Sequence, residues 1–430
     1  EKHLDSNSSE SQKIDLMFRF IQYIERQVVL FDAIEDAAFA VINDLEGKGS
    51  LRDVKDSTES DEMKLRLKEF LRQFSVRTVL TAHPTQFYPG AVLGIITDLT
   101  QAIREDDLHN IKQLLSQLGK TPFIKKEKPT PYDEAVSLVW YLENVFYQTA
   151  GEMVRYIRSN LMNGENGTQP LIAMGFWPGG DRDGNPFVDT KTTLMVAARL
   201  QNVLLKCYHR DMRRLRRKLT FAKVEALVSD LEQKIYQSAY YANGDISITL
   251  SDFLNALNGI REIVIAEHQS LYLEDIDELI GKVHLFGLHF ATLDIRQNSK
   301  IHKTVIAEIA DAGYNDLDED EQINWLMTSS KRIDLATLPE GMTKSTLESA
   351  VAMKTIQEKN GERGANRYII SNNESALDVI EALSLFRFTG WENPSVDIVP
   401  LFEIIEDLRN AEAVMEKLYT NPYYAEHLKR

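Results

Sequence analysis

Five short apolar runs interrupt a chain whose remaining periodicity is helical. They are 77–82 (RTVLTA), 171–177 (LIAMGFW), 286–295 (FGLHFATLDI), 367–371 (RYIIS) and 397–402 (DIVPLF). Each is too short for a stable helix, and several are rich in Val, Ile, Phe or Tyr, so they read as buried strands. Between them, apolar residues recur at three- and four-residue steps. The helix candidates are 11–45, 62–74, 91–117, 133–160, 192–218, 222–238, 250–270, 274–283, 303–312, 346–358, 374–385 and 404–418. Strands that alternate with helices place the chain in the α/β class.

The residues just past each run carry more chemistry than the run itself. The first run ends in His83-Pro84-Thr85, the second in GGDRDGN (179–185) and the third in Arg296-Gln297-Asn298. The fourth ends in Ser371-Asn372-Asn373 and the fifth in Glu403. Barrel enzymes and open parallel sheets both keep their active sites at the C-terminal ends of such strands. Five strands are too few to close an eight-stranded barrel. The last residues, YYAEHLKR, still read as helix, so further chain is expected beyond them.

Bulk properties narrow the setting. The polar start, EKHLDSNSSESQK, has no signal-peptide core, and no apolar run approaches the roughly 20 residues of a membrane helix. The single Cys207 excludes an internal disulfide and a cysteine-rich zinc site, and suits a reducing cytoplasm. A net charge of −16 argues against nucleic acid and anionic membrane as partners. One basic run, Arg210, Arg213, Arg214, Arg216, Arg217 and Lys218, reads as a solvated or subunit-contact helix face. The acidic run 316–321 reads as a solvated loop.

Among the strand-end residues, His83 has the side chain best matched to proton transfer near neutral pH, and Pro84 biases it toward an extended conformation. A hydrogen-bonded structural histidine is the other reading. The paired glycines Gly179 and Gly180 let backbone amides approach an anion. Asp181 and Asp183 suit a cation or the orientation of Arg182, or else a tight turn. Arg296 suits bidentate capture of phosphate or carboxylate. Its alternative is an ion pair with Asp294 or another acid, since residues two apart on a strand share a face. Glu403 suits Mg²⁺, which takes hard oxygen donors, or else starts a helix against its dipole.

Taken together, VLTAHPTQ (79–86), PTPYDEA (129–135), WPGGDRDGNP (177–186), FGLHFATLDIRQNS (286–299), YIISNNESALDVIEAL (368–383) and VPLFEIIEDLRNAEAVMEKL (399–418) resemble the bacterial and plant type of phosphoenolpyruvate carboxylase, in the family's order. The resemblance implies an α/β, TIM-barrel-like fold with a large excess of helices, of which this chain is an N-terminal portion supplying about five strands. Residues 1–430 would form one large domain, with N-terminal helices over 1–75 and the first part of the barrel over 76–430. It also implies a cytoplasmic, allosteric homotetramer that makes oxaloacetate for the tricarboxylic acid cycle.

The implied chemistry begins with bicarbonate attacking the phosphate of phosphoenolpyruvate, giving carboxyphosphate and the enolate of pyruvate. His83 would take the proton of carboxyphosphate so that carbon dioxide is released, and the enolate would then attack carbon dioxide. Arg296 would hold the anionic intermediate, and Glu403 would be one ligand of Mg²⁺ or Mn²⁺. Trp177 and the loop carrying Gly179, Gly180, Asp181, Arg182 and Asp183 would line the substrate site. Two departures stand out. Phe87-Tyr88-Pro89-Gly90 replace arginines that the family places after TAHPT, with Lys120, Lys125, Lys126 and Lys128 as substitutes for the lost charge. The family's second metal-binding aspartate, its active-site lysine and its inhibitor site have no counterpart here, so the fragment alone should be inactive. A non-catalytic helical interaction protein and a different Mg²⁺-dependent phosphoryl-transfer enzyme stay open as alternatives.

Overall fold

The computed structural model describes residues 9–81, 88, 90–123, 129–164, 170–183, 185–241 and 248–429. The chain divides into two compact units: Glu1–Lys64 with His83–Lys128, and Leu65–Ala82 with Pro129–Arg430. This division does not coincide with the expected boundary at residue 75. Among the described residues no helix is long and apolar enough to cross a membrane.

The first unit is helical. Its long helix, Glu10–Ile42, starts at a capping box between Ser9 and Gln12. Val29 packs with Val92, Ile95, Leu118 and Phe123, and Ala33 packs with Leu99, Ala102 and Leu114. These partners lie on or beside the helices Gly90–Arg104 and Leu108–Lys120. The single helix expected over 91–117 is therefore two. It breaks where Asp106 takes φ 53° and Asp107 caps the next helix through the Asn110 amide. Tyr88, within the divergent Phe87–Gly90 segment, donates to Asp32 at 3.2 Å.

The second unit holds all six strands of the described residues in two parallel three-stranded sheets. In the first, β1 (Val76–Leu80) pairs with β2 (Ile172–Phe176), which pairs with β3 (Thr292–Leu293). In the second, β4 (Ile295–Asn298) pairs with β5 (Arg367–Ser371), which pairs with β6 (Asp397–Pro400). Only Asp294 separates β3 from β4. Its amide still donates to Phe176 O at 3.0 Å, and an isolated parallel bridge joins Asp181 to Arg296. The fold is thus a helix-rich α/β arrangement with two small parallel sheets that do not form a closed barrel.

Two local expectations need correction. The run 286–295 is mostly not strand: Phe286 ends the helix Leu273–Phe286, and Gly287 (φ 54°) and Phe290 (φ 67°) turn the chain before Thr292. A buried helix end with a glycine stop has the same apolar signature as a buried strand. The acidic run 316–321 is not simply a loop. Asp318 forms a capping box with Glu321, and acidic residues fill the first turn of the helix Glu319–Thr328. The basic run on the helix Thr190–Lys218 is the solvated face read from the sequence: Arg210, Arg213, Arg214, Arg216, Arg217 and Lys218 are all exposed, with Arg210 paired to Glu143, Arg214 to Asp211, Arg216 to Glu232 and Lys218 to Asp275.

The helix Ala376–Phe388 is buried on every side. Because it carries β5 into the core, its polar groups must be satisfied internally. Asp378 caps its start and meets Lys303 at 3.1 Å, while Arg387 donates to the carbonyls of Leu326 and Ser329. Glu381 is 2% exposed, and its Oε2 has no hydrogen-bond partner among the described residues. Burial first, then Asp378, pushes its carboxyl up to about 8 against the opposing charge of Lys303. The folded value lies above the unfolded one, so this group's contribution is complete below the ordinary glutamate range and is lost as pH rises toward 8. The expected slope is at most about 1.4 kcal/mol per pH unit. Glu381→Gln should flatten the fall in Tm between pH 5 and 8, and thermal melts in which variant and parent decline in parallel would contradict this.

Candidate functional site

Parallel strands leave the sheets at one end, and at that end four segments of the second unit converge. These are the loop after β2, the end of β4, the turn after β5 and the turn after β6. The loop after β2 begins with Trp177, whose amide donates to Leu80 O at 2.9 Å. Gly179 comes next in the turn at φ 83°, a conformation that favours glycine. Gly180 then passes so close to the 294 backbone that an added Cβ would lie 2.1 Å from Asp294 O. From there the loop runs beside β4. Arg296 N donates to Gly180 O at 3.1 Å and Arg182 N to Arg296 O at 2.9 Å.

This path sets acids around Arg296. Its guanidinium is 2.9 Å from Asp183, 3.3 Å from Glu403 and 3.7 Å from Asp181. It also lies over the Trp177 ring, 5.5 Å from the centroid. The Arg296 side chain is 18% exposed, while Glu403 is 40% exposed and faces outward. Asn298 Nδ2 reaches Asp183 Oδ1 at 3.4 Å. The expected alternative partner, Asp294, is not part of this set. The strand is interrupted at that residue, so the shared-face rule does not apply to it. Asp294 instead accepts from Arg77 Nη2 at 2.5 Å and from Trp177 Nε1 at 3.2 Å. Burial pushes its carboxyl up, opposed by Arg77 and by the indole N–H.

Glu403 precedes the helix Ile405–Thr420 rather than capping it. Asp407 does the capping: its Oδ2 accepts from the amides of Glu403 and Ile404, both at 3.3 Å. Glu403 Oε2 is thereby left to take the Asn372 amide at 2.7 Å. The adjacent turn after β5 repeats the device, with Asp378 Oδ2 accepting from the amides of Glu374 and Ser375 at 2.8 and 2.9 Å. Asn372 itself sits at φ 54°, and its side chain donates to Glu374 at 3.1 Å. Asn372 lies in the polar strand end Ser371–Asn373 read from the sequence, and Asn is among the residues that tolerate positive φ.

Of the candidates read from the sequence, Trp177, Asp181, Asp183, Arg296 and Glu403 come together, and Gly179 and Gly180 shape the loop. Arg182 does not join them. Its side chain is buried, donating to Ser345 O at 2.8 Å and Thr190 Oγ1 at 3.1 Å, where it ties the loop to neighbouring helices. His83, Gly184, Lys125, Lys126 and Lys128 lie outside the described residues.

One cation among three carboxylates leaves a local surplus of two negative charges. The arrangement can clamp an anion only if those carboxylates are otherwise neutralised, and a divalent cation would do so. Among the described residues no group of three or more His, Cys, Asp or Glu side chains forms a complete metal site. Glu403, exposed and oxygen-bearing, fits a single ligand position of a hard cation that keeps several waters.

A family model described as phosphoenolpyruvate carboxylase matches residues 40–247 and 232–430. The chain is similar to proteins of that name from three organisms. The Gloeobacter violaceus protein is 27% identical over 441 residues, covering 83% of this chain and 46% of its own length. The Shewanella halifaxensis protein is 27% identical over 410 residues, with 84% and 46% covered. The Prochlorococcus marinus protein is 27% identical over 448 residues, with 84% and 45% covered. The chain spans about half the length of the curated relatives it matches.

Gly180→Ala should lower stability by about 1–3 kcal/mol, because backbone, not a flexible side chain, stands in the way of the new methyl group. An unchanged Tm in a thermal melt would contradict the close approach of the 180 and 294 backbones.

Proposed function

This chain belongs to the phosphoenolpyruvate carboxylase family, and we propose that the full-length protein converts phosphoenolpyruvate and bicarbonate to oxaloacetate and phosphate. The observation that carries the proposal is the Arg296 cluster at the C-terminal strand ends, built from segments that carry the family resemblance. Arg296 holds the phosphoryl or carboxyphosphate anion, for which a planar guanidinium fixed at its base by backbone bonds to Gly180 and Arg182 is suited. Trp177 covers one face of that guanidinium and keeps water from it. Asp181 and Asp183 hold it in register until the anion arrives. His83 takes the proton of carboxyphosphate, a role assigned by resemblance alone.

Glu403 supplies one ligand to Mg²⁺ or Mn²⁺, held at the site by its bond from the Asn372 amide. When bound, the cation would offset carboxylate charge and stabilise negative charge developing on phosphoryl and enolate oxygens. On the same reading, the two sheets are part of a TIM-barrel-like fold whose remaining strands come from the rest of the family's length. The homotetrameric assembly, the cytoplasmic setting and the supply of oxaloacetate to the tricarboxylic acid cycle rest on the family resemblance.

A coupled assay with malate dehydrogenase and NADH tests the reading on the full-length protein. NADH consumption should require phosphoenolpyruvate, bicarbonate and a divalent cation, and its absence would overturn the proposal. Arg296→Ala should lower kcat/KM by about 10²- to 10³-fold with the fold intact. His83→Asn should lower kcat by about 10²- to 10⁴-fold.

A further inference from the structure

The proposed site has an inner support that none of its expected residues includes. Gly175 in β2 has no side chain, and a Cβ there would lie 2.9 Å from Arg77 Nε and 3.0 Å from Arg77 Nη2. The space left by the absent side chain lets the Arg77 guanidinium of β1 cross the face of β2. It reaches Asp294, which is 2% exposed and sits at the break between β3 and β4. Asp294 spends one carboxylate oxygen on Arg77 and the other on Trp177 Nε1. The Asp294 backbone is fixed at the same time by its amide bond to Phe176 O. The indole edge is therefore anchored, and its face lies against the Arg296 guanidinium.

We propose that Asp294 is a positioning residue that aims Trp177, and through its ring Arg296, at the bound anion. An aspartate suits this position because both neighbours are donors and an ionised carboxylate offers two acceptor oxygens. An asparagine offers one acceptor and would turn its NH₂ toward a second donor. Asp294 touches no substrate in this scheme and acts only through the indole. The inference rests on the carboxylase reading of the site for its kinetic consequence, but not for its structural one.

The test uses the full-length protein and three variants. Trp177→Phe keeps an aromatic face but deletes the Nε1 donor together with part of the ring. Asp294→Asn keeps the shape and deletes one acceptor. The double variant closes the cycle. Each single change should raise KM for phosphoenolpyruvate about tenfold, the scale of a hydrogen bond to a charged group, with kcat altered less than about threefold. The double variant should be no worse than the poorer single one. In ¹⁹F spectra of 5-fluorotryptophan-labelled protein, the Trp177 resonance is assigned by its loss in Trp177→Phe. Its resonance should move in Asp294→Asn. Additive kinetic effects, or an unmoved resonance, would overturn the proposal and leave Asp294 a structural ion pair. If Asp294→Asn does not fold, Arg77→Lys, which keeps the charge but loosens Asp294, should move the same resonance, and an unmoved one would have the same meaning. A parent protein without carboxylase activity would overturn the functional reading instead, and the resonance would still decide the role of Asp294.

Discussion

A parallel strand cannot neighbour the next until the chain has travelled back to its starting end. Every adjacent pair in this protein therefore demands a long crossover, and helices supply it. That constraint accounts for the excess of helix. It also makes all the strands discharge at one end. Residues as far apart in sequence as Trp177, Arg296, Asn372 and Glu403 meet there without any local motif joining them. The interruption at Asp294 is the one place where the ladder changes sheet, and the loop after β2 repairs it by pairing Asp181 with Arg296.

Much of this was legible in the sequence because buried parallel strands have a strong signature. The runs 171–177, 367–371 and 397–402 contain β2, β5 and β6, and 77–82 overlaps β1, all rich in branched and aromatic residues. However, β1 is only half-buried to exposed, not the buried strand expected of it. The third run misled because burial, not strand geometry, made it apolar. Phe286, from a helix end, stacks on Tyr147 in the core, and Phe290, from a turn, meets both rings edge-on. The Asp106–Asp107 break was hidden for the opposite reason, since the apolar period runs through it almost unchanged. The cluster of Trp177, Asp181, Asp183, Arg296 and Glu403 could be assembled from strand-end positions alone. What those positions could not reveal was pairing. Asp294 and Arg296 share a period of two, yet one faces Arg77 and the other faces Asp183, because the strand between them is interrupted.

Electrostatics then divides the site into two layers. The inner layer, Arg77 with Asp294, is charge-balanced and nearly dry, so its geometry resists salt and solvent. The outer layer, Arg296 with three acids, is unbalanced and more exposed, so it responds to whatever charge enters. A rigid neutral base beneath a labile charged surface lets binding change the pairing without changing the scaffold.

The paired turns after β5 and β6 carry a further implication. In each, an aspartate four residues downstream collars the backbone, so the preceding glutamate does not have to cap its own turn. Folding information and chemical identity are thus stored at different positions of the same short loop. A mutation at Glu374 or Glu403 alters what the rim offers to solvent, while Asp378 and Asp407 preserve the turn that presents it. Such loops are evolvable in a literal sense: the chemistry of the rim can drift or be redesigned one residue at a time without a trial of the fold at each step.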